Sequence, residues 1–391
     1  MVREVGGQVR APILLGLAVL PLLAKDDTRV PGIDDMVGLK RVSQPAISAD
    51  GSKVAYVVRK ANWEDNAFEN EVWLADVESG IARAFTQAKK SSDAPAFSPD
   101  GSSLAFLSDR DGKRQIYLMN LSGGESQELT SSEEGVSHFA YSHDGKRIAF
   151  LAADPKPEAM KEREKLYGEV TIEDEATNPR HLYVIDAETG AARRLTTGTF
   201  VVGDFDWSPD DREIAFDFTE SSDPSFGVTA DISVVEVETA AVRPLVSQEG
   251  PDSSPRYSPD GQQIAFSTVM LEVGSFYYRN ATVATIAARG ERSVQSILSG
   301  FDEDPQLLAW TEAGIFLSAN QKTESGLVRL DPATKAATRV ALNQPVANGF
   351  SFSADGGDVA FVGSSASTYP EVFASPTSGG SARKLSDLGR Q

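Results

Sequence analysis

The chain has 391 residues, 40% hydrophobic and 24% charged, with 57 acidic against 37 basic side chains and a formal charge of −20. Its apolar content is that of a globular chain, and its acidity disfavours nucleic acid and anionic lipid as partners. The absence of cysteine excludes disulfides, thiolate metal sites and cysteine nucleophiles, and a histidine-based centre would have only His138, His143 and His181 to draw on.

At the N-terminus, Arg3 and Arg10 precede an apolar stretch, 11–24, which ends at Lys25-Asp26-Asp27. A basic start, about fourteen apolar residues and a small residue at the end form the pattern of a secretory signal peptide. The stretch is short for a bilayer and is interrupted by Pro12 and Pro21. Residues 1–24 are therefore expected to be a signal peptide, with export to the periplasm or beyond and no stable membrane span once the leader is removed. Residues 25–42 are expected to form a linker and a short helix.

From 43 to 391 the chain repeats. Ser48-Ala49-Asp50-Gly51 recurs as Ser98-Pro99-Asp100-Gly101, Ser142-His143-Asp144-Gly145, Ser208-Pro209-Asp210-Asp211, Ser258-Pro259-Asp260-Gly261 and Ser353-Ala354-Asp355-Gly356, with the degenerate Thr311-Glu312-Ala313-Gly314 between the last two. Proline fixes one φ, aspartate accepts local amide hydrogens and glycine supplies positive φ, so each copy is a tight turn. A short strand with alanine at its centre follows, as in Val54-Ala55-Tyr56, Leu104-Ala105-Phe106 and Ile264-Ala265-Phe266. Period-2 geometry places the large residues on one face and the alanine on the other, so both faces are buried and the alanine face meets something that approaches closely. A third strand (Val72-Trp73-Leu74, Ile116-Tyr117-Leu118, Leu182-Tyr183-Val184) and a fourth ending in pairs such as Phe85-Thr86 and Leu129-Thr130 complete each unit. Seven such units, starting near 46, 95, 138, 204, 255, 307 and 350, predict an all-β fold: a seven-bladed β-propeller of four-stranded antiparallel blades. The first unit opens with its own first strand and the seventh closes with its own fourth, so the ring is expected to close by packing of blades one and seven, without strand exchange.

Chemistry is scarce in these units. The sequence has no G-x-S-x-G elbow, Walker loop, H-E-x-x-H or dinucleotide fingerprint, so no catalytic residue, metal or cofactor is expected in this chain. His143 stands in the proline slot of a turn, His181 opens a third strand and His138 lies just before a first strand, and all three read as structural. Departures from the repeat are the better candidates. The third unit is swollen by 153–180, in which 157–166 is charged and helix-forming and Glu173, Asp174 and Glu175 form an acidic cluster suited to a peptide's amino terminus. The fifth contains Phe276-Tyr277-Tyr278-Arg279-Asn280, where Tyr277, Tyr278 and Arg279 suit peptide contact. Phe301-Asp302-Glu303-Asp304-Pro305 makes a further acidic corner that lacks the ligand spacing of a calcium loop.

Ile33-Asp34-Asp35-Met36-Val37-Gly38-Leu39-Lys40-Arg41-Val42-Ser43, running into the first turn, resembles the helix that introduces the propeller of prolyl oligopeptidase-family serine peptidases, closest to bacterial acylaminoacyl and dipeptidyl peptidase-like members. The swollen third unit with Asn178-Pro179-Arg180-His181, the Tyr277-Tyr278 segment and the 301–305 corner with Leu307-Leu308-Ala309-Trp310 resemble that family too. The resemblance covers 33–391. It implies an α/β-hydrolase domain bearing a Ser-Asp-His triad, which is missing from this chain, and a propeller that screens which short peptides reach it. The expected partners are thus short peptides and a hydrolase domain, in cis or in trans. A periplasmic TolB-like module that binds another protein is the alternative, because such propellers share the turns. A sugar-processing propeller is disfavoured, since no aromatic-plus-carboxylate pocket can be placed.

Overall fold

The computed structural model describes residues 30–87, 90–168, 178–221, 224–269, 279–290 and 293–390. The chain divides into two units, 1–38 and 39–391. Of the first, the described part carries helix α1 (Ile33–Gly38), where the Asp35 carboxylate accepts the Gly32 N–H at 2.8 Å and Ile33 and Met36 are exposed.

The second unit is a seven-bladed β-propeller. Its strands among the described residues, β1 to β28 in chain order, fall four to a blade: β1–β4 (41–84), β5–β8 (92–128), β9–β12 (136–194), β13–β16 (201–246), β17–β20 (252–296), β21–β24 (306–339) and β25–β28 (346–384). Every blade is antiparallel, and the sixth and seventh are joined by one parallel bridge, Ser325–Val346.

The turn repeat works as its chemistry requires. In each of six turns the serine hydroxyl donates to the aspartate two residues on, at 2.6 to 2.8 Å, and accepts the N–H five residues on, as Lys53 N–H to Ser48 Oγ at 2.9 Å. The serine thus ties the first strand to the second. Asp50, bonded by the Ser48 hydroxyl and by the Ser52 amide and hydroxyl, is held down at about 2.

The second strands supply the core. Ala55, Ala105, Ala149, Ala215, Ala265 and Ala360 are fully buried and face the next blade, while Tyr56, Phe106, Phe150, Phe216, Phe266 and Phe361 face the previous one. Seven apolar clusters result, one at each junction between neighbours. In the sixth blade Phe316 takes the alanine's place and stacks on Phe352 of the seventh at 4.4 Å. The Phe-Thr and Leu-Thr pairs lie just past the fourth strands, where Thr86, Thr130 and Thr196 Oγ1 accept the third-strand N–H of Val72, Ile116 and Leu182.

The ring closes without strand exchange, as expected: β1–β4 come from one end of the domain and β25–β28 from the other. Tyr56, Val54 and Val42 pack against Ala360, Val372 and Ala374 across the seam. Contrary to a closure made by packing alone, hydrogen bonds also cross it: Ile47 N–H to Ser351 Oγ and Ala354 N–H to Ala49 O, each 3.1 Å, and Arg383 to Val77 O at 2.8 Å.

Antiparallel order puts the links between first and second strands, and between third and fourth, on one face; the links between second and third strands and between blades lie on the other. The first-to-second links are five residues long in six blades. On the opposite face the links run from two residues (322–323) to the long segment 154–179, with 220–230 and 269–281 between those extremes. All the large departures from the repeat therefore share one face. The chain also enters the ring at Arg41 and leaves it after Lys384 on that face.

Candidate functional site: the inner wall of the ring

First strands of neighbouring blades approach one another, β1 with β5 and β25, β13 with β17, and β17 with β21, so they form the inner wall. Most of them carry a bulge against the second strand. Gln44, Ala94, Ser254 and Gly349 adopt left-handed φ there, between 48° and 63°. The bulge turns backbone amides away from their own ladder and leaves them to be bonded by side chains of other strands.

Around blades three to six those side chains are charged. Arg256 on β17 (Asp252–Tyr257) reaches Asp204 on β13 (Val201–Trp207) at 2.7 Å and donates to Leu308 O on β21 (Gln306–Thr311) at 2.8 Å, so one guanidinium spans three blades. Asp206 accepts the Tyr257 N–H at 2.8 Å. Asp217 on β14 (Glu213–Thr219) stands behind the wall, accepting Asp204 N–H and Ser254 N–H at 2.8 Å each. His138 on β9 (Val136–Tyr141) lies 4.0 Å from Asp204 and edge-on to Phe205. Arg180 donates to Val202 O at 2.7 Å.

Burial pushes Asp217 up to about 6 and also raises Asp206. For Asp204 burial acts the same way, but Arg256 and His138 outweigh it and hold the carboxyl below its ordinary value. Burial lowers His138. The wall thus carries one firmly ionised carboxylate paired with arginine, and two that burial makes reluctant to ionise.

A second buried acid stands at the start of β17. Asp252 is fully buried, takes the Gln248 amide at 2.9 Å, has no partner for Oδ2 among the described residues, and is pushed up to about 6 by burial. A carboxyl raised in the folded state lends stability below its unfolded value and loses it as pH rises through the folded one. The stability lent by Asp217 and Asp252 should therefore fall between about pH 4 and pH 6, while the lowered His138 and His181 act in the opposite sense. In Asp252→Asn, urea midpoints across that window should show about half the decline, and at pH 7 the variant should be more stable by about 2 kcal/mol. An unchanged pH profile would remove Asp252 from this role.

Of the residues singled out from sequence, Glu173, Asp174, Glu175, Tyr277 and Tyr278 lie outside the described residues. Arg279 is exposed at the end of the fifth-blade insertion, whose base is closed by Asn280 donating to Asp302 O at 2.6 Å and Ala281 N–H to Asp304 at 2.8 Å. The acidic corner is thus a clasp. The base of the third-blade insertion is closed likewise, by Asn178 to Asp154 O and Asp154 N–H to Pro179 O, and its helix α2 spans Glu158–Tyr167. His181 is fully buried, not at a strand edge: its Nδ1 meets Thr196 Oγ1 at 3.1 Å and burial lowers it. The wall cluster carries a signal in sequence that unit-by-unit reading misses. Two residues before each turn's first position the chain has Ala46, Ala96 and Ala140, then Asp206 and Arg256, then Ala309 and Ser351. Opposite charges at one repeat position of adjacent blades mark a pair across blades.

The fold is a β-propeller closed without strand exchange, and the TolB β-propeller domain model matches its residues 37–159. The chain is 30% identical over 269 residues to the uncharacterized peptidase YuxL of Bacillus subtilis, covering 61% of this chain and 31% of that protein. It is 26% identical over 321 residues to dipeptidyl-peptidase 5 of Porphyromonas gingivalis, covering 74% and 46%. The chain thus spans less than half the length of either relative. Among solved structures it resembles the β-propeller domain of the Trilobed protease from Pyrococcus furiosus, described as having an open velcro topology, with TM-score 0.66 at 16% identity over 90% of this chain and 96% of that one. It also resembles Pyrococcus horikoshii acylaminoacyl peptidase, with TM-score 0.68 at 16% identity over 90% and 53%. The chain is thus similar to part of these peptidases and to the propeller domain of one protease, in keeping with the resemblance read from its residues.

Proposed function

We propose that this propeller gates the access of short peptides to a serine peptidase site carried by an α/β-hydrolase domain, in cis or in trans, outside the cytoplasm. One observation carries the reading: the chain enters and leaves the ring on the face that bears every large insertion. A domain tethered at either end would start from that face, beside the long insertions, which supports the reading. The sequence kinship with peptidases supports it. The exposed Ile33 and Met36 of α1 offer apolar surface to such a domain. Export rests on the leader pattern in 1–24; among the described residues no helix is long and apolar enough to cross a membrane.

The seam supplies a test, because the chain has no cysteine of its own. A Cβ built on Gly51 lies 3.5 Å from Asp358 Cβ across blades one and seven, within disulfide range. With the peptidase partner present, oxidised Gly51→Cys/Asp358→Cys is expected to hydrolyse peptides of about ten residues at least fivefold more slowly than when reduced, with tripeptides little affected. Equal rates in both states for both lengths would sink gating at the seam. Failure of the chain to bring down any protein labelled by a fluorophosphonate probe would favour the TolB-like binding module, a reading that the 37–159 match also supports.

A further inference from the structure

The third and fourth turns break the Ser-Pro-Asp-Gly pattern in complementary ways. In the regular arrangement the proline of one turn lies against the glycine of the next, and a Cβ on Gly145 or Gly261 would come within 3.2 or 3.5 Å of Pro99 or Pro209. Between the third and fourth turns the proline is His143 and the glycine is Asp211, which holds a left-handed φ of 58°. His143 has the N–H that proline lacks, and Asp211 has the carboxylate that glycine lacks. They meet: Asp211 accepts His143 N–H at 2.7 Å, Asp144 N–H at 2.8 Å, and stands 3.1 Å from His143 Nδ1. A non-glycine residue in this conformation is strained, and here three contacts hold it.

The consequence is a positioned imidazole. A carboxylate beside Nδ1 selects the tautomer that donates from Nδ1, and in that neutral tautomer Nε2 is left as an acceptor. The ring is 55% exposed and lines a cavity of about 340 Å³ at the turn-side end of the inner strands, together with Asp206, Arg256, Trp310 and Glu312. Arg256 is committed to Asp204, Leu308 O and Pro255 O. Asp206 Oδ2 takes the Tyr257 amide, but Oδ1 takes no hydrogen bond from any described residue. Glu312 is exposed and has no ion pair among the described residues. The cavity therefore presents acceptor atoms beside an indole, with the exposed Glu312 at its lining and its one arginine already used.

We propose that this cavity binds an organic ammonium group, its N–H donors directed to His143 Nε2 and Asp206 Oδ1 and its carbon chain against Trp310. The volume suits a group of side-chain to dipeptide size. The assignment stands on the cavity's own atoms and holds whether or not the ring gates a peptidase. Calorimetric titration of the purified chain tests it with phenylalanyl-alanine amide, the N-acetylated form of that amide, and Nα-acetyl-lysine amide. The free amine is expected to bind and acetylation to weaken it at least tenfold. Nα-acetyl-lysine amide bound equally well makes this a general ammonium site; bound tenfold more weakly, it makes this an amino-terminus site. His143→Pro/Asp211→Gly restores the regular turn pair, so it should fold like the parent and lose at least tenfold in affinity, as should Asp206→Asn. Equal binding of the free and acetylated dipeptides, no binding at millimolar concentration, or full affinity in the double variant would each overturn the proposal.

Discussion

Arg256→Met is expected to lose about 2–3 kcal/mol of stability, and to lose more of it at pH 8 than at pH 5. The guanidinium bridges three blades, and among the described residues Asp204 has no other cation within bonding distance except His138 at 4.0 Å. Breaking a buried pair from one side costs 3–5 kcal/mol, because the remaining charge stays desolvated. The side chains here are 18% and 31% exposed, so water recovers part of that. Methionine keeps the apolar stem and isolates the loss of charge. Without the cation Asp204 stands among Asp206 and Asp217 uncompensated, and the folded-state values of these carboxyls rise. Carboxyls raised in the folded state withdraw stability as pH increases, which fixes the direction. Urea midpoints at the two pH values read the effect, and Asp204→Asn/Arg256→Met should recover most of the pH 8 deficit. A variant equal to the parent at both pH values would mean that the wall does not join its blades through this residue.

Gly203→Ala should cost about 3 kcal/mol although it adds one methyl group. A Cβ at 203 would fall 2.1 Å from Asp217 Oδ1, the atom that accepts the Asp204 N–H. The carboxylate must leave, and Oδ2 then releases the Ser254 N–H as well. Two inner-strand amides lose their acceptor at once, on top of the steric term. Asp217→Ala alone removes the same two bonds, so adding Gly203→Ala to it should cost little. The double-mutant cycle is therefore expected to be non-additive by about 2 kcal/mol or more. Additive losses would show that Gly203 is required for some reason other than Asp217.

What could be read from the sequence follows from the range of each interaction. The blade count rests on turns whose bonds join residues two to five apart, as from Ser48 to Asp50 and Lys53. The alanine and aromatic alternation is equally local, and it places Ala55 and Tyr56 on opposite junctions. The wall is different. Arg256 and Asp204 are 52 residues apart, and neither belongs to a motif by itself. Gly203 reads as an ordinary strand glycine until Asp217 is seen to occupy the place of its Cβ. His143 and Asp211 each read as decay of the repeat, and only their contact shows that the two exceptions belong together. The insertions drew the sequence-based choice of Glu173 to Glu175 and Tyr277 to Arg279 because they depart from the repeat. The wall cluster sits inside the repeat, where the signal is a change of residue at one repeat position and not an insertion.

The way the ring closes also sets an order on its making. Synthesis delivers β1–β4 first and their partner blade last, since the seventh blade ends only at Lys384. Until then six blades stack as an open array, each resting on the one before, much as a solenoid grows from one end. The face of the first blade that carries Val54 and Tyr56 stays wet for as long as the ribosome takes to add the remaining three hundred residues, at about 5–20 residues per second. An unlatched ring is thus an oily surface held open for tens of seconds on every nascent chain. Emergence of the seventh blade from the ribosome, and not folding of any single earlier blade, becomes the event that hides it.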